Sequence, residues 1–113
     1  NKVVSAGDLM ELLDFCELSI LMGYYKNLLS EKQKEYMIDH FEMDYSLSEI
    51  AKKHGISRQA VYENIKRGII SLREYEEKLG FYARDMEIKR ALERLKESYS
   101  ESKLEEIIQN LEA

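Results

Sequence analysis

The chain has 113 residues, a formal net charge of −5, one cysteine and no proline. Hydrophobic residues make up 44% of it and charged residues 35%, a composition typical of one small, mostly helical domain. The single cysteine excludes an internal disulfide and favours a reducing compartment such as the bacterial cytoplasm. No apolar run approaches the roughly 20 residues that span a bilayer. The acidic net charge argues against high-affinity nucleic-acid binding over broad basic surfaces.

Residues 8–29 form the first predicted helical region. Its apolar residues recur at spacings that a helix gathers on one face. The region is either one helix or two short ones, since Gly23 could break or kink it. Cys16 is interpreted as a small core residue rather than a reactive thiol, because no histidine lies near it in the sequence.

Ser30 begins the second predicted helix. Gln33 follows it at the spacing of a capping box. His40, near the end of this helix, is expected to be partly buried and hydrogen-bonded. A metal-binding role is not favoured, because no partner lies at metal-ligand spacing.

The segment from Leu47 to Arg67 has the pattern of a helix-turn-helix. Ser46 and Glu49 predict a capping box at the start of its first helix. Gly55 stands where a left-handed residue would let the chain leave that helix, and Ser57 can cap the second helix. The inward residues predicted for the motif are Leu47, Ile50, Ala51, Ile56, Val61 and Ile65.

The second helix of the motif is predicted to extend well beyond it. Its apolar series continues in helical phase through Ile69 and Leu72 to Leu79, and Gly80 is a natural terminator. Gly68 either weakens the helix by about 1 kcal/mol or allows close packing against the preceding helices. So long a helix needs cover over its second half, which the tail could supply.

The tail is predicted to be a hairpin of two amphipathic helices. Its seams are Ile88, Leu92, Leu95 and Tyr99 on the first helix and Leu104, Ile107, Ile108 and Leu111 on the second, which begins at Ser100 or Ser102. The hairpin either completes the core or forms a dimer surface, and the sequence leaves both open. We therefore expect a single helical domain over 1–113, with the helix-turn-helix core at 8–80 and an extension at 81–113.

The outward residues of the second motif helix are the candidate nucleic-acid contacts. Arg58 and Gln59 lie in its first turn, where a recognition helix meets base edges; arginine can pair with guanine and glutamine with adenine. Lys66 and Arg67 suit phosphate contacts, and so does the Ser57 hydroxyl. The alternative is an ordinary solvated face. The full predicted set is Ser57, Arg58, Gln59, Tyr62, Lys66 and Arg67.

No catalytic, cofactor-binding or metal-binding residues are predicted. The sequence contains no phosphate-binding glycine loop, no nucleophile elbow and no metal-ligand spacing. Its two histidines and one cysteine are explained by packing.

The run Ser57-Arg-Gln-Ala-Val-Tyr62, followed by Asn64-Ile-Lys-Arg67, resembles the YlxM-like family. These are small bacterial helix-turn-helix proteins encoded beside genes of the signal recognition particle. The resemblance covers roughly residues 28–82. More distantly, the segment is similar to region 4 of bacterial sigma factors, which binds the promoter −35 element, although Gly68 replaces the alanine common there and nothing upstream resembles the other sigma domains.

The resemblance implies an all-α fold: a sigma region 4-like three-helix core without a wing, a long recognition helix and a C-terminal hairpin. It implies a role in the signal recognition particle pathway and a component of that particle as a partner. The leading hypothesis is a cytoplasmic, dimeric, non-enzymatic DNA-binding regulator. The alternative is an adaptor that binds protein or RNA and does not read DNA.

Overall fold

A computed structural model describes residues 15–112 of the chain, and the chain divides into two compact units on either side of the Leu79–Gly80 bond. The described residues of the first unit form α1 (Phe15–Tyr25), a short 3-10 helix (Lys26–Leu28), α2 (Glu31–Phe41), α3 (Leu47–His54) and α4 (Arg58–Leu79). The second unit consists of α5 (Phe81–Glu97) and α6 (Glu101–Glu112). The predicted all-α fold is confirmed, since residues 15–112 contain no strand.

The core of the first unit lies around the inward face of α4, which packs against α1, α2 and α3. Val61, Ile65, Ile69 and Leu72 of α4 are each completely buried, as their helical spacing predicts. Each of the other three helices adds its own apolar stripe. The remaining buried apolar residues are Leu18, Leu21, Met22, Tyr25, Leu29, Tyr36, Met37, Leu47, Ile50 and Ala51.

Gly68 marks the closest approach between α2 and α4. A methyl group built on Gly68 would lie 2.9 Å from Sδ and 3.1 Å from Cγ of Met37, whose side chain is fully buried. The prediction that a small residue here permits close packing is therefore confirmed. Any larger residue would have to displace Met37.

The second half of α4 is covered by α1 and the 3-10 helix. The Tyr25 hydroxyl donates to Oε1 of Glu76 at 2.5 Å, and the Tyr75 hydroxyl donates to the carbonyl of Leu28 at 3.0 Å. The two tyrosine rings lie 6.0 Å apart, centroid to centroid. Within the first unit, the cover for this part of α4 comes from α1 and the 3-10 helix. Leu79, predicted to point inward, is 45% exposed because it lies beyond this contact.

One alternative for the N-terminal region is decided and one prediction is wrong. Gly23 does not divide the helix, which continues through it to Tyr25, so the single-helix alternative is the correct one here. Cys16 is exposed rather than part of the core, because the buried face of α1 is set by Leu18, Met22 and Tyr25 and Cys16 lies on the opposite side of the helix. Predictions for residues 8–14 fall outside the described residues.

The second unit is a helical hairpin, as predicted. Gly80 adopts the left-handed conformation (φ +64°) before α5. Ser100, rather than Ser102, caps α6, since its Oγ accepts from the amide of Lys103 at 3.1 Å. Arg84 near the start of α5 donates to the carbonyl of Leu111 near the end of α6 at 3.4 Å, which fixes the two helices as antiparallel.

Candidate nucleic-acid interface

The first helix of the motif, α3, begins with a complete capping box. The amide of Ser46 donates to Oε1 of Glu49 at 2.8 Å, and the amide of Glu49 donates to Oγ of Ser46 at 3.0 Å. The bond from the Ser46 amide, together with that serine's side chain, lowers the pKa of Glu49 below its ordinary value of 4.5. The predicted box is therefore confirmed, and it fixes where α3 starts.

The turn between α3 and α4 follows the predicted pattern. Gly55 has φ +67° and ψ +37°, a conformation that costs other residues free energy. The amide of Ile56 then donates to the carbonyl of Ala51 at 3.0 Å, which closes the end of α3. Ser57 caps α4, because its Oγ accepts from the amide of Ala60 at 3.0 Å. The hydroxyl hydrogen of Ser57 can still be donated outward.

A buried carboxylate that the sequence interpretation missed anchors the motif to the rest of the unit. Asp39 on α2 is only 5% exposed. Its two oxygens accept from Nζ of Lys53 at 3.1 Å each, and Oδ2 lies 3.1 Å from Nε2 of His54. His54 also packs edge-on against Tyr36, with ring centroids 4.8 Å apart. These contacts hold the C-terminal end of α3 on α2.

A signal for this anchor was present in the sequence. Asp39 lies between Met37 and His40 on the inward side of α2, and a buried carboxylate requires a hydrogen-bonding or cationic partner. The sequence does not show which side chains pair with Asp39, because Lys53 and His54 lie 14 and 15 residues further along the chain. His40 makes a separate bond, with Nδ1 2.7 Å from the carbonyl of Tyr45, as its predicted hydrogen-bonding role requires.

The anchor reduces the positive surface of the motif. In the sequence, Lys53 is one of five basic residues around the motif, with Lys52, Arg58, Lys66 and Arg67. Its bond to Asp39 raises the pKa of the Lys53 ammonium, so Lys53 stays protonated with its charge balanced by a carboxylate. The positive face is therefore smaller than the basic residues of the sequence suggest.

The predicted contact residues all lie in the first three turns of α4 or at its cap. Ser57, Gln59 and Arg67 are exposed, whereas Arg58, Tyr62 and Lys66 are partly exposed. Tyr62 also packs against the hydrophobic core, so its ring is less available for contact with DNA than that of a fully exposed residue. The structure thus presents Ser57, Gln59 and Arg67 to solvent, whereas Arg58, Tyr62 and Lys66 lie on the flanks of the buried face.

Three hydrogen bonds within α4 order part of this face. Nε2 of Gln59 donates to Oε2 of Glu63 at 3.0 Å, which occupies the amide that could otherwise pair with adenine. Nη2 of Arg67 donates to Oδ1 of Asn64 at 3.3 Å, and Asn64 in turn donates to the carbonyl of Ala60. Asn64 is a member of this face that sequence reasoning did not include.

The cations at the middle of α4 keep their net positive charge. Within residues 15–112, the four ion pairs involve Lys26, Lys53 and His54, and none joins a carboxylate to Lys66 or Arg67. The Arg67–Asn64 bond leaves the guanidinium charge uncompensated. Two adjacent positive side chains on an outward helix face can contact a phosphate backbone.

The match to known proteins agrees with this geometry. Residues 13–112 match the model of a family described as "Putative helix-turn-helix protein, YlxM / p13 like". The chain belongs to this YlxM/p13-like family. The match is wider than the resemblance seen from the motif alone, since it extends through the hairpin.

Individual relatives support the same assignment. A protein of this family from Fusobacterium nucleatum is 54% identical over 102 residues, which cover 90% of this chain and 99% of the relative. YlxM of Bacillus subtilis is 44% identical over 99 residues, covering 88% of this chain and 90% of YlxM. A family member from Bacillus velezensis is 41% identical over 107 residues, covering 91% and 97%.

Two further observations concern the described residues as a whole. None of their helices is both long and apolar enough to cross a membrane. Residues 15–112 also contain no group of three or more His, Cys, Asp or Glu side chains arranged to hold a metal ion.

Proposed function

We propose that this member of the YlxM/p13-like family is a cytoplasmic, non-enzymatic DNA-binding regulator that contacts DNA through the outer face of α4. By the family resemblance, its role lies in the signal recognition particle pathway. The helix-turn-helix architecture supports the proposal because its second helix is the element that enters the major groove in proteins that bind DNA this way.

The observation that carries the proposal is the state of Lys66 and Arg67. Had both been neutralised by carboxylates, the middle of this face would carry only the negative charge of Glu63. Instead the ion pairs between described residues join Glu42, Asp39 and Glu35 to Lys26, Lys53 and His54, and Lys66 and Arg67 keep their charge. Phosphate contacts from these two residues would fix the register of the helix, while Arg58 and Gln59 in the first turn address base edges.

The proposal is tested by measuring the binding of the protein to a pool of short genomic duplexes. Fluorescence anisotropy follows the binding over a range of salt concentrations. A net charge of −5 predicts weak binding that is visible at low salt and falls steeply as salt rises. Lys66→Ala and Arg67→Ala should each weaken binding on all sequences and reduce the salt slope by about 1. Lys78→Ala is the matched control, since Lys78 is exposed in the last turn of the same helix, far from the motif. No binding at low salt, or equal losses from Lys66→Ala and Lys78→Ala, would contradict it.

Base reading has a separate test. Arg58→Ala should flatten the sequence preference of the selected duplexes, with a cost of about 1–3 kcal/mol on the preferred sequence and little on others. A uniform loss on all sequences would assign Arg58 to phosphate contact instead.

A second candidate function is a protein- or RNA-binding adaptor of the signal recognition particle system. The Gln59–Glu63 bond favours it, because it places a carboxylate at the centre of the face and occupies the amide suited to base pairing. The neutralised Lys53 favours it as well. Recovery of a targeting component with the purified protein, compared before and after nuclease treatment, distinguishes adaptor from DNA binder.

We also propose that the protein acts as a homodimer through its C-terminal hairpin. The support is the amount of apolar side chain left exposed there: Leu92 is 45%, Ile108 42% and Leu111 44% exposed. Sedimentation at tens of micromolar should give a dimer, and a monomer at that concentration would refute it.

A further inference from the structure

The outer side of α5 carries a shallow groove with an apolar floor and a charged rim. Ile88 and Leu92 form the floor, and the rim consists of Asp85, Lys89, Glu93 and Lys96. No residue of α5 or α6 is buried within residues 81–112, so this hairpin forms no closed core of its own. The groove is distinct from the side of α5 that faces α6, where Arg84, Ala91 and Ile107 meet.

The rim charges alternate along the helix. In chain order they are negative, positive, negative and positive, and the four sum to zero. A rim of this kind has no net attraction for a strongly charged partner such as a nucleic acid or an acidic peptide. It is matched instead by a surface that carries the same alternation in the reverse order.

A second copy of α5 running antiparallel supplies that reversed order. With a two-fold axis passing between Ile88 and Leu92, Ile88 of one copy lies against Leu92 of the other. The same axis brings Lys89 opposite Glu93 of the second copy. A parallel, in-register pairing would instead set every rim charge beside its own copy, which is repulsive.

We propose that α5 pairs with α5 of a second copy in this antiparallel arrangement, with two symmetry-related Lys89–Glu93 pairs along one side of an Ile88/Leu92 seam. The contact is isologous, as two-fold dimers require. Lys89 of each copy contacts Glu93 of the other copy. The inference rests on the dimer part of the proposed function and names its surface. It is independent of DNA binding, which is assigned to α4.

Charge reversal in the full-length chain tests the register. Lys89→Glu places two glutamates against each other twice in the dimer, and Glu93→Lys does the same with lysines. Each variant should raise the dimer dissociation constant about tenfold, because two exposed pairs become repulsive at once. An equimolar mixture of the two variants should regain the wild-type constant, since both pairs are then opposite in sign again.

The controls separate this result from a general effect of charge or of misfolding. Arg90→Glu makes the same change of net charge on a residue that does not line the groove, and should leave the dissociation constant within about twofold. Leu92→Glu should abolish the dimer while circular dichroism stays helical, because Leu92 is 45% exposed and buries little within the chain.

Sedimentation equilibrium reports all of these outcomes, and anisotropy with the duplex pool reports DNA binding in parallel. A wild-type monomer, equal effects of Lys89→Glu and Arg90→Glu, or failure of the mixture to recover would overturn the antiparallel pairing. A wild-type dimer that binds no duplex at low salt would contradict the DNA proposal alone. A wild-type monomer that still binds the duplexes would contradict the dimer proposal alone.

Discussion

Replacing Asp39 by asparagine tests whether the anchor between α2 and α3 stabilises the motif. The substitution keeps the size of the side chain and removes its charge. Asp39 is 5% exposed, so the bonds it loses are shielded from water on its own side. A hydrogen bond to a charged group contributes about 1.5–3 kcal/mol, and this applies to the contact with His54, whose side chain is 8% exposed.

The contribution of Lys53 is smaller. Its side chain is 45% exposed, so its ion pair with Asp39 is screened by water and contributes less than the contact with His54. The contact with His54 therefore sets the expected loss, and Asp39→Asn should lower the free energy of unfolding by about 1.5–3 kcal/mol. Urea denaturation followed by far-ultraviolet circular dichroism measures it, and the urea dependence of that free energy should stay unchanged.

Two variants control this prediction. Glu35→Gln removes a carboxylate that is 48% exposed and lies 3.9 Å from Nδ1 of His54, and should cost less than about 0.5 kcal/mol. Lys53→Met removes the ion pair alone and should cost clearly less than Asp39→Asn, because the Lys53 side chain is 45% exposed. If Asp39→Asn costs no more than Glu35→Gln, or Lys53→Met costs as much as Asp39→Asn, the buried contact with His54 is not the source of stability.

Three further predictions address the backbone and the caps. Gly68→Ala should destabilise the protein by up to about 2 kcal/mol, because crowding against Met37 outweighs the gain in helix propensity. Gly23→Ala is the control and should stabilise by about 0.5–1 kcal/mol, since nothing lies within 4 Å of the added methyl group. Equal effects of the two substitutions in urea denaturation would contradict the crowding at Gly68. Asp44, with φ +61°, should tolerate glycine but lose about 1–2 kcal/mol of stability as Asp44→Val, measured the same way, and equal stability of the two variants would refute the argument. Because the pKa of Glu49 is lowered on folding, its stabilisation is complete above its ordinary value of 4.5 and is lost as the pH falls through and below it, so thermal unfolding should show a smaller acid-induced fall in midpoint for Glu49→Gln than for wild type.

The predictions that held depend on neighbours within one or two turns. Ser46 and Glu49 are three residues apart, as are Ser57 and Ala60. At that spacing a capping pattern in the sequence predicts which atoms form a hydrogen bond. The prediction of a left-handed Gly55 was confirmed for the same reason, because that conformation is required at a single position in the chain. The inward phase of α4 followed from the 3.6-residue period over several turns.

The predictions that failed depend on where a helix faces. Cys16 lies among apolar residues in the sequence, yet which of them point inward is decided by the position of α4 relative to α1. Leu79 keeps the helical phase of Ile69 and Leu72 but extends past the last residue that α1 and the 3-10 helix can cover. Local periodicity carries no information on how far a packing partner reaches.

In the candidate site, too, local features followed from the sequence and long-range contacts did not. Sequence alone determined the helix-turn-helix, the caps and the outward position of Ser57, Gln59 and Arg67, because those follow from backbone geometry within a few residues. Tertiary structure alone decided which charges remain available: Asp39 folds back onto Lys53 and His54, 14 and 15 residues away, and removes one cation from the positive face. Electrostatic pairing depends on distance in space, and a sequence gives only distance along the chain.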